Sequence, residues 1–569
     1  MRALITSRIK LIALLFIIGV VLLVGRLYFV QIVDGKEFSE RADRQYRRPN
    51  QTLYDRGNIF FTDKEGGRFS AATLKLGYTV AISPKNIVDT NDVYLKINEI
   101  IELDADSFYL KANKKDDPYE EIALKVPEEK ALAIEALGLQ GVGIYKERWR
   151  FYPGEESASH VLGFVGFKGD ELTGRYGLEQ YYNNILSRDS NSNNLNFFAE
   201  IFSNIKEVVS EKEILVEGDL ITTIEPKVQT FLEQTLQKIQ DEYSSELSGG
   251  IIIDPKNGDV YALSIKPGFN LNSYGKVTDV GIFTNSLIES VYEMGSIIKP
   301  ITIASGLDSE TITAETTYDD KGYLMIDGKT ISNFDGKGRG VVEMQEVLSQ
   351  SLNTGVAFVV NKMGKDKFRE YLFKFGLNEK TGIDLPNESS ALIDNLNSPR
   401  DLEYATASFG QGIAMTPIMT VRALSALANG GLLIRPHIVQ EIDYKVGLKD
   451  KIEPEIGSRA ISETSSDEIT RMLVKVVDEA LAEGNMALPN YSVAAKTGTA
   501  QIASPNGGYY DDRFLHSFFG YFPAYNPKFL VFLYTVYPKE VRYASQTLTT
   551  PFFDLTKFLI SYYEIAPDR

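Results

Sequence analysis

The stretch Tyr292-Glu293-Met294-Gly295-Ser296-Ile297-Ile298-Lys299-Pro300 places a serine three positions before a lysine. Gly295 permits a sharp turn, and proline is best tolerated in the first turn of a helix, where its missing backbone donor is not needed. The stretch therefore predicts a helix that begins near Ser296 and carries Lys299 on the same face. Because an amine one turn away can take the proton of a serine hydroxyl at the positive end of a helix, we interpret Ser296 as a nucleophile and Lys299 as its base.

The Ser-x-x-Lys pattern is weak by itself, because the chain contains three further copies: Ser7/Lys10, Ser203/Lys206 and Ser273/Lys276. The first copy flanks an apolar segment, the second lies in a polar stretch, and the third lies in a loop rich in Gly and Asn. Spacing alone does not distinguish these copies from Ser296, so the choice depends on the motifs that accompany it.

The composition of the chain excludes or disfavours several kinds of partner and catalytic site. The chain has 569 residues, which predicts about three or four domains. Its net charge of −17 argues against a nucleic-acid partner, and its lack of cysteine excludes disulfides and thiolate metal sites. Only three histidines occur, His160, His437 and His516, which disfavours a His-rich metal site or a Ser-His-Asp triad. Lysine is therefore the natural base for a nucleophilic serine.

The N-terminus predicts a membrane anchor. Residues 1–10 contain Arg2, Arg8 and Lys10. Residues 11–33 are mainly apolar, and this run is as long as the roughly 20 residues that a helix needs to span a bilayer. The basic flank keeps the N-terminus inside, so we expect a single-pass protein of the cytoplasmic membrane whose remaining residues are extracytoplasmic. A cleaved signal peptide is the alternative reading, but no small-x-small cleavage site follows the apolar run.

Residues 34–247 indicate a mixed α/β region without concentrated catalytic chemistry. Its patterns predict a strand over Leu76 to Ile82, a helix over Pro127 to Leu137 and a loop over Ser187 to Asn196.

From residue 248 onwards the pattern predicts a second α/β domain, which extends to residue 569. Two strands around an Asn-Gly turn come first, and three strands come near the end, over Ser492 to Ile502, Ser517 to Phe522 and Phe529 to Tyr537. Helices are predicted between them, over Met344 to Met363 and Thr416 to Asn429, and a last helix follows around Pro551 to Tyr563. We therefore expect a single antiparallel sheet that is assembled from both ends of the domain.

Two further motifs accompany Ser296. Ser351-Leu352-Asn353 falls within the first of these helices, and Lys496-Thr497-Gly498-Thr499 continues an apolar strand, where Gly498 would let a ligand approach the backbone. A rival copy, Lys380-Thr381-Gly382, has polar neighbours and is interpreted as a turn. A serine nucleophile needs a base, a proton for its leaving group and a cation for an anionic substrate, which Ser296, Lys299, Ser351 and Lys496 together could supply. Lys496 could also depress the pKa of Lys299.

Ser-x-x-Lys, Ser-x-Asn and Lys-Thr-Gly in this order resemble the penicillin-binding proteins. Further matching motifs run through most of the chain: Arg56-Gly57-Asn58-Ile59, Arg150-Phe151-Tyr152-Pro153, His160-Val161-Leu162-Gly163, Gly177-Leu178-Glu179, Asp254-Pro255, Thr381-Gly382-Ile383-Asp384-Leu385-Pro386, Ser408-Phe409-Gly410-Gln411-Gly412 and Lys496-Thr497-Gly498-Thr499-Ala500-Gln501. The chain looks like a class B member. That resemblance implies a transmembrane helix, an α+β pedestal (dimerisation-like) domain over residues 34–247, and a transpeptidase domain over residues 248–569 with a central antiparallel sheet between helices.

The resemblance also implies a reaction, in which Ser296 attacks the penultimate D-alanine carbonyl of a peptidoglycan stem peptide and the acyl group passes to an amine. The backbone amides of Ser296 and Thr499 would form the oxyanion hole. Lys496, Thr497 and Thr499 would hold the terminal carboxylate, Gly498 would belong to the same substrate-binding strand, Ser351 would relay a proton, and Asn353 would position the substrate amide. β-Lactams would acylate Ser296, and no metal or organic cofactor is implied.

Motif details, such as Tyr292-Glu293-x-Gly295-Ser296, resemble the division type (FtsI-like) more than the elongation type of the class. The expected partners are lipid-linked or nascent glycan strands with their stem peptides, β-lactams, the membrane, a membrane glycan polymerase and other cell-wall or division proteins. The alternatives are an elongation-type transpeptidase, a D,D-carboxypeptidase or β-lactamase, and a non-enzymatic β-lactam sensor or division scaffold.

Overall fold

The computed structural model describes residues 54–169, 171–188, 217–505 and 507–569. The chain divides into a smaller unit, residues 1–55 and 74–149, and a larger unit, residues 56–73 and 150–569. Within the described ranges no helix is both long enough and apolar enough to cross a bilayer. The predicted tail 1–10, the anchor 11–33 and the serines of two rival Ser-x-x-Lys copies, Ser7 and Ser203, lie outside them.

The smaller unit packs three helices against strands around its own core. Strand Arg68–Ile82 enters it from the larger unit and pairs with strands Glu120–Val126 and Val142–Phe151. Its helices are Thr90–Asn98, Ala105–Ala112 and Glu128–Ala136. The strand and the helix predicted from the sequence for this region are both confirmed, and Pro127 is the N-cap residue of the last helix.

The larger unit is built on a five-stranded antiparallel sheet. Its strands, in spatial order, are Ala494–Ala503, Tyr509–Phe522, Phe529–Val536, Leu247–Ile253 and Val260–Lys266. The strand pair from the start of the domain thus completes a sheet whose other strands come from its end, as predicted. Strand Tyr509–Phe522 is longer than the expected Ser517 to Phe522 because it continues as a hairpin partner of Ala494–Ala503.

Both faces of this sheet are buried, which explains why its strands have nearly continuous apolar sequences. Along Phe529–Val536, the side chains of Phe529, Val531 and Leu533 pack into one hydrophobic core. The alternate side chains of Leu530, Phe532 and Tyr534 pack into the other. Since side chains alternate between faces along a strand, apolar residues are favoured at successive positions of this strand.

Helices cover the two faces. Pro226–Tyr243 and Thr549–Tyr562 contribute to the core on one face, and Lys299–Asp308, Asn353–Met363 and Pro417–Ala428 contribute to the core on the other. The remaining α-helices in the described residues of the unit are Ser159–Leu162, Gly177–Tyr181, Asn183–Leu186, Ser286–Glu289, Met344–Ser349, Lys365–Lys374, Asp401–Ala407, Glu463–Lys475 and Ala544–Thr547. The remaining strands in these residues are Ile59–Thr62, Val165–Lys168, Glu171–Gly174, Gly218–Thr222, Thr317–Asp320, Tyr323–Ile326, Lys329–Ser332, Gly340–Glu343, Leu432–Ile434, Val439–Tyr444, Lys449–Lys451 and Ile456–Arg459.

A buried ion cluster joins three of the motifs noted in the sequence. Both oxygens of the fully buried Glu179 carboxylate accept from arginines, one from Arg56 Nε and the other from Arg150 Nε, each at 2.6 Å. Burial alone would raise the pKa of Glu179, but the charges of Arg150 and Arg56 lower it below its ordinary value. The segment around Arg56 is thereby tied to the body of the larger unit.

One predicted helix is wrong in its extent. Met344 to Met363 forms two helices, Met344–Ser349 and Asn353–Met363, with a break at residues 350–352. Ser351 adopts a left-handed backbone conformation, with φ of 57°, which an α-helix cannot continue through. The apolar periodicity of both halves is real, but it carries no information about this break.

Candidate active site

The nucleophile candidate lies in a tight turn at the start of a helix. Ser296 belongs to a 3₁₀ turn, Gly295–Ile298, that leads directly into helix Lys299–Asp308 with Pro300 in its first turn. Gly295 has φ of 65°, and a Cβ there would lie 2.8 Å from the carbonyl oxygen of Thr499. Glycine therefore allows the turn that carries Ser296 to approach strand Ala494–Ala503 closely.

Two lysines converge on one serine. Lys299 Nζ donates to Ser351 Oγ at 3.1 Å and also to the Ser351 carbonyl oxygen. Lys496 Nζ donates to the same Ser351 Oγ at 3.1 Å and to the Thr497 carbonyl at 3.0 Å. The Ser351 hydroxyl thus accepts two hydrogen bonds, which occupies both of its lone pairs and leaves its own proton free to be donated.

The same arrangement lowers the pKa values of both lysines. Lys299 is completely buried, and this burial, together with the nearby charge of Lys496, lowers its pKa well below the ordinary value. Burial also lowers the pKa of Lys496, to about 8. Burial and the charge of Lys496 therefore both favour the neutral amine of Lys299, which is the form that a general base requires.

The left-handed conformation of Ser351 explains how it reaches both lysines. The break between the two helices directs the Ser351 carbonyl and hydroxyl towards Lys299. Asn353 begins the next helix, and its side-chain Nδ2 donates to the Ser332 carbonyl at 2.9 Å. The two polar residues of this motif are therefore fixed by different neighbours.

Strand Ala494–Ala503 carries the remaining candidates. Thr499 Oγ1 accepts from the Ala544 amide at 3.0 Å, which leaves its hydroxyl proton available for another acceptor. Gly498 differs from the expectation that a ligand approaches it, because a Cβ there would meet Ser517 Oγ at 2.4 Å and the Met294 carbonyl oxygen at 2.8 Å. Its missing side chain makes room for the chain's own turn before Ser296.

The structure also shows residues whose part in the site the sequence did not reveal. The Gly295 amide donates to the Gly410 carbonyl at 3.2 Å, and the Gly412 amide donates to Glu293 Oε1 at 3.0 Å. The motif Ser408 to Gly412 therefore supports the turn on both sides of Met294. This motif could be recognised in the sequence as one that matches the penicillin-binding proteins. Its residues suggested no catalytic or binding role, so its contact with the turn was not predicted.

These residues lie along a cleft of about 990 Å³. Ser296, Ser351, Asn353, Lys496, Thr497 and Thr499 line it. Lys299 is completely buried and does not line it. Across the described residues, no group of His, Asp or Glu side chains is arranged to hold a metal ion.

The rival motifs lie elsewhere. Neither Ser273 nor Lys276 lines the cleft. The rival Lys380-Thr381-Gly382 lies in an irregular segment and not on a strand, and Glu388 accepts from the Thr381 amide at 2.6 Å and from the Gly382 amide at 3.0 Å. Only the copy at Ser296 is accompanied, within the described ranges, by both of the other motifs.

Comparison with known proteins places both units in one family. The penicillin binding protein transpeptidase domain matches residues 249–555, and the penicillin-binding protein dimerisation domain matches residues 55–213. The stage V sporulation protein D of Bacillus subtilis (strain 168) is 32% identical over 553 residues, which cover 95% of this chain and 83% of that protein. The peptidoglycan D,D-transpeptidase FtsI of Buchnera aphidicola subsp. Schizaphis graminum is 25% identical over 560 residues, covering 96% and 94% of the two chains.

A solved structure has the same fold. The crystal structure of penicillin binding protein 2X from Streptococcus thermophilus superposes with a TM-score of 0.72 at 19% identity, over 90% of this chain and 80% of that one. The two domain matches and these relatives show that the chain belongs to the class B penicillin-binding proteins, with a dimerisation domain followed by a transpeptidase domain.

Proposed function

We propose that this protein is a serine D,D-transpeptidase that cross-links peptidoglycan stem peptides through an acyl-enzyme on Ser296, and that β-lactams inhibit it by acylating the same hydroxyl. The observation that carries the proposal is the pair of buried lysines on Ser351, of which Lys299 has a pKa well below its ordinary value. A buried neutral amine next to a cleft serine is a ready general base.

The first half-reaction uses each of these groups once. Ser296 Oγ forms a bond to the carbonyl carbon of the penultimate D-alanine while Lys299 takes the hydroxyl proton. The amides of Ser296 and Thr499 stabilise the resulting oxyanion. The carbon–nitrogen bond then breaks, and the Ser351 hydroxyl passes a proton to the departing D-alanine amine, recovering one from Lys299.

In this mechanism the substrate is bound by strand Ala494–Ala503 and by the Ser-x-Asn motif. Lys496 remains protonated and, with the hydroxyls of Thr497 and Thr499, holds the terminal carboxylate. Asn353 positions the substrate amide, and Gly498 contributes indirectly by letting the strand lie close to the turn of Ser296. In the second half-reaction an amine of a neighbouring stem attacks the ester, Lys299 takes its proton, and the proton returns to Ser296.

The test is to find the acylated residue. After incubation with a fluorescent penicillin, mass spectrometry of the digested protein should place the adduct on Ser296, and Ser296→Ala should remove it. Ser273→Ala is the matched control, because it belongs to a rival Ser-x-x-Lys copy and should be labelled like the wild type. An adduct on Ser273 or Ser203 would contradict the proposal.

A second measurement separates transpeptidation from hydrolysis. A donor ending in D-Ala-D-Ala is incubated with and without an acceptor amine, and the products are quantified. A transpeptidase transfers most of the acyl group to the amine. If only the hydrolysis product forms at every amine concentration, the result would instead support a carboxypeptidase.

We also propose that residues 1–10 form a cytoplasmic tail, that residues 11–33 form a membrane anchor, and that residues 34–247 form a pedestal for an extracytoplasmic transpeptidase domain over residues 248–569. The apolar run after a basic flank supports this arrangement. Protease added to intact spheroplasts should digest the chain beyond Gly35, and protection of this region would contradict the topology.

Within the class we propose the division role, with a membrane glycan polymerase as partner. The motifs around Glu293 and Gly412 support this role, and these two residues are hydrogen-bonded to each other. Depletion in the native cell should give filaments without septa, whereas rounded cells would indicate the elongation role.

A further inference from the structure

The strand that carries Lys496 lies at the edge of its sheet. Ala494–Ala503 pairs on one side with Tyr509–Phe522 and is the terminal strand of the five. Its residues 495, 496, 497, 499 and 501 line the cleft. An edge strand offers backbone donors and acceptors to an extended peptide, so a bound stem peptide can lie alongside it.

The proposed function sets the direction of that peptide. Its terminal carboxylate lies at Lys496 and Thr497, and its reacting carbonyl lies at Ser296 and the Thr499 amide. Residues upstream of the reacting bond must then follow the strand towards Gln501, and each pair of residues advances by about 7 Å. The upstream part of the stem therefore reaches the end of the cleft lined by Gln501 and Arg542.

Arg542 is an unusual residue at that end of the cleft. It is exposed, and its guanidinium carbon lies 6.0 Å from the ring centre of Phe514 and 5.6 Å from that of Tyr543. Phe514 is the strand partner of Gln501. In the described part of the chain Arg542 forms no ion pair, although the protein as a whole carries a net charge of −17.

Arg339, the other arginine that lines the cleft, is paired with an acidic residue, unlike Arg542. Arg339 donates from both terminal nitrogens to the Asp335 carboxylate, at 2.8 and 2.9 Å, and from Nε to Gln350 Oε1 at 2.7 Å. Its charge is thus already compensated by the protein. Arg542 retains its donors for a ligand.

The backbone of Arg542 is held in place by a buried histidine. His516 Nε2 donates to the Arg542 carbonyl at 3.0 Å, and its Nδ1 accepts from Thr547 Oγ1 at 2.9 Å. Burial lowers the pKa of His516 to about 4, so it stays neutral in this role. His516 is also the strand partner of Thr499. The arginine is therefore fixed relative to the strand that binds the substrate.

We propose that Arg542 binds a second carboxylate of the donor stem peptide, upstream of the reacting bond, and so selects stems that carry one. This inference rests on the proposed function. The guanidinium fork matches a carboxylate in a bidentate fashion, and the rings of Phe514 and Tyr543 orient it. The carboxylate can come from the side chain of the third residue, where a diamino acid with an extra carboxyl group would be preferred to lysine, or from the free α-carboxylate of the second residue.

Four synthetic pentapeptide donors ending in D-Ala-D-Ala distinguish these sources. They combine a third residue with or without the extra carboxylate and a second residue with a free or an amidated α-carboxyl group. The measured quantity is kcat/KM for D-alanine release, with the full-length protein in detergent. Arg542→Gln removes the charge, and Arg542→Lys keeps it without the fork. Arg513→Gln is the matched control, because that guanidinium lies over the Tyr510 and Tyr537 rings and does not line the cleft.

For the wild type, removing one of the two carboxylates should lower kcat/KM by about 10-fold, the range of a charged hydrogen bond, and removing the other should have little effect. The ratio of kcat/KM for the donor with this carboxylate to kcat/KM for the donor without it should fall to about one in Arg542→Gln. In Arg542→Lys this ratio should be intermediate. Arg513→Gln should keep the wild-type ratio.

Two results overturn the inference. One is a wild type that reacts equally with all four donors, and the other is an Arg542→Gln variant with the wild-type preference. If the wild type is acylated by penicillin in either case, the proposed function still stands. A wild type that reacts with neither penicillin nor any donor overturns the proposed function, and the inference with it.

Discussion

The two lysines on Ser351 should respond oppositely to substitution. Both lysines donate to Ser351 Oγ, and in the proposed mechanism Lys299 accepts a proton whereas Lys496 supplies a charge. Arginine keeps a charge but cannot act as a base near neutral pH. Lys299→Arg should therefore abolish acylation by a fluorescent penicillin, while Lys496→Arg should retain a measurable part of the rate.

The magnitude follows from burial. Lys496 is 3% exposed, so its contact with a substrate carboxylate forms in a partly dry site. Removing such a contact costs on the order of 2 to 4 kcal/mol, or roughly 30- to 1000-fold in rate, and Lys496→Ala should lose that much. With a pKa of about 8, about nine-tenths of the Lys496 side chains are protonated at pH 7.

The pH profile gives a sharper test. In the wild type the second-order acylation rate should rise as Lys299 loses its proton and fall above about pH 8 as Lys496 loses its own. Because the charge of Lys496 contributes to the low pKa of Lys299, Lys496→Ala should move the acid limb to higher pH and remove the alkaline limb. Stopped-flow rates between about pH 5 and 10 measure both limbs. The reasoning is refuted if Lys299→Arg is acylated as fast as Lys496→Arg, or if the acid limb does not move.

Three further predictions concern stability and geometry. Lys496→Met should raise Tm at pH 6, because the folded state disfavours the charged lysine there, and the gain should shrink as pH rises through about 8 towards the unfolded pKa, as calorimetry at pH 6 and 9.5 can check. Ser351→Gly suits the left-handed backbone but lacks the hydroxyl, so it should lose acylation as fully as Ser351→Ala; a Gly variant that retained the rate would show that only the backbone matters. Glu179→Gln should lower the free energy of unfolding by about 3 kcal/mol or more in urea, because it removes the buried negative charge that accepts from both Arg56 and Arg150, whereas Glu171→Gln on the surface should have little effect.

Much of this architecture could be predicted because it depends on periodicity. The strands around residues 250 and 530 are apolar at most positions, as is the start of the strand around residue 495, because both faces of their sheet are buried. Helix Pro417–Ala428 begins where Thr416 caps it and ends before Gly430-Gly431, as expected. Such signals are local, so a single sequence contains them.

The rest of the site depends on contacts between distant segments. No local pattern indicates that Ser351 is left-handed, since serine rarely adopts that conformation, and the break in the predicted helix followed from it. Gly498 could be recognised as important, but whether a ligand or the Met294 carbonyl lies beside it depends on packing. His516 attracted no interpretation in the sequence because its role is to hold one carbonyl of a loop far along the chain.

The assembly of the sheet from both ends has a consequence for biosynthesis. Strand Leu247–Ile253 pairs with Phe529–Val536, so it leaves the ribosome long before its partner exists. Sheets that depend on such distant pairing form slowly, and an unpaired apolar strand is prone to aggregation while it waits. A nascent chain that stops before residue 529 cannot build a partial active site, because the strand carrying Lys496 then has no complete sheet on which to pack. We therefore expect a holdase that shields residues 247–266 until strand Phe529–Val536 has been made to raise the yield of folded protein.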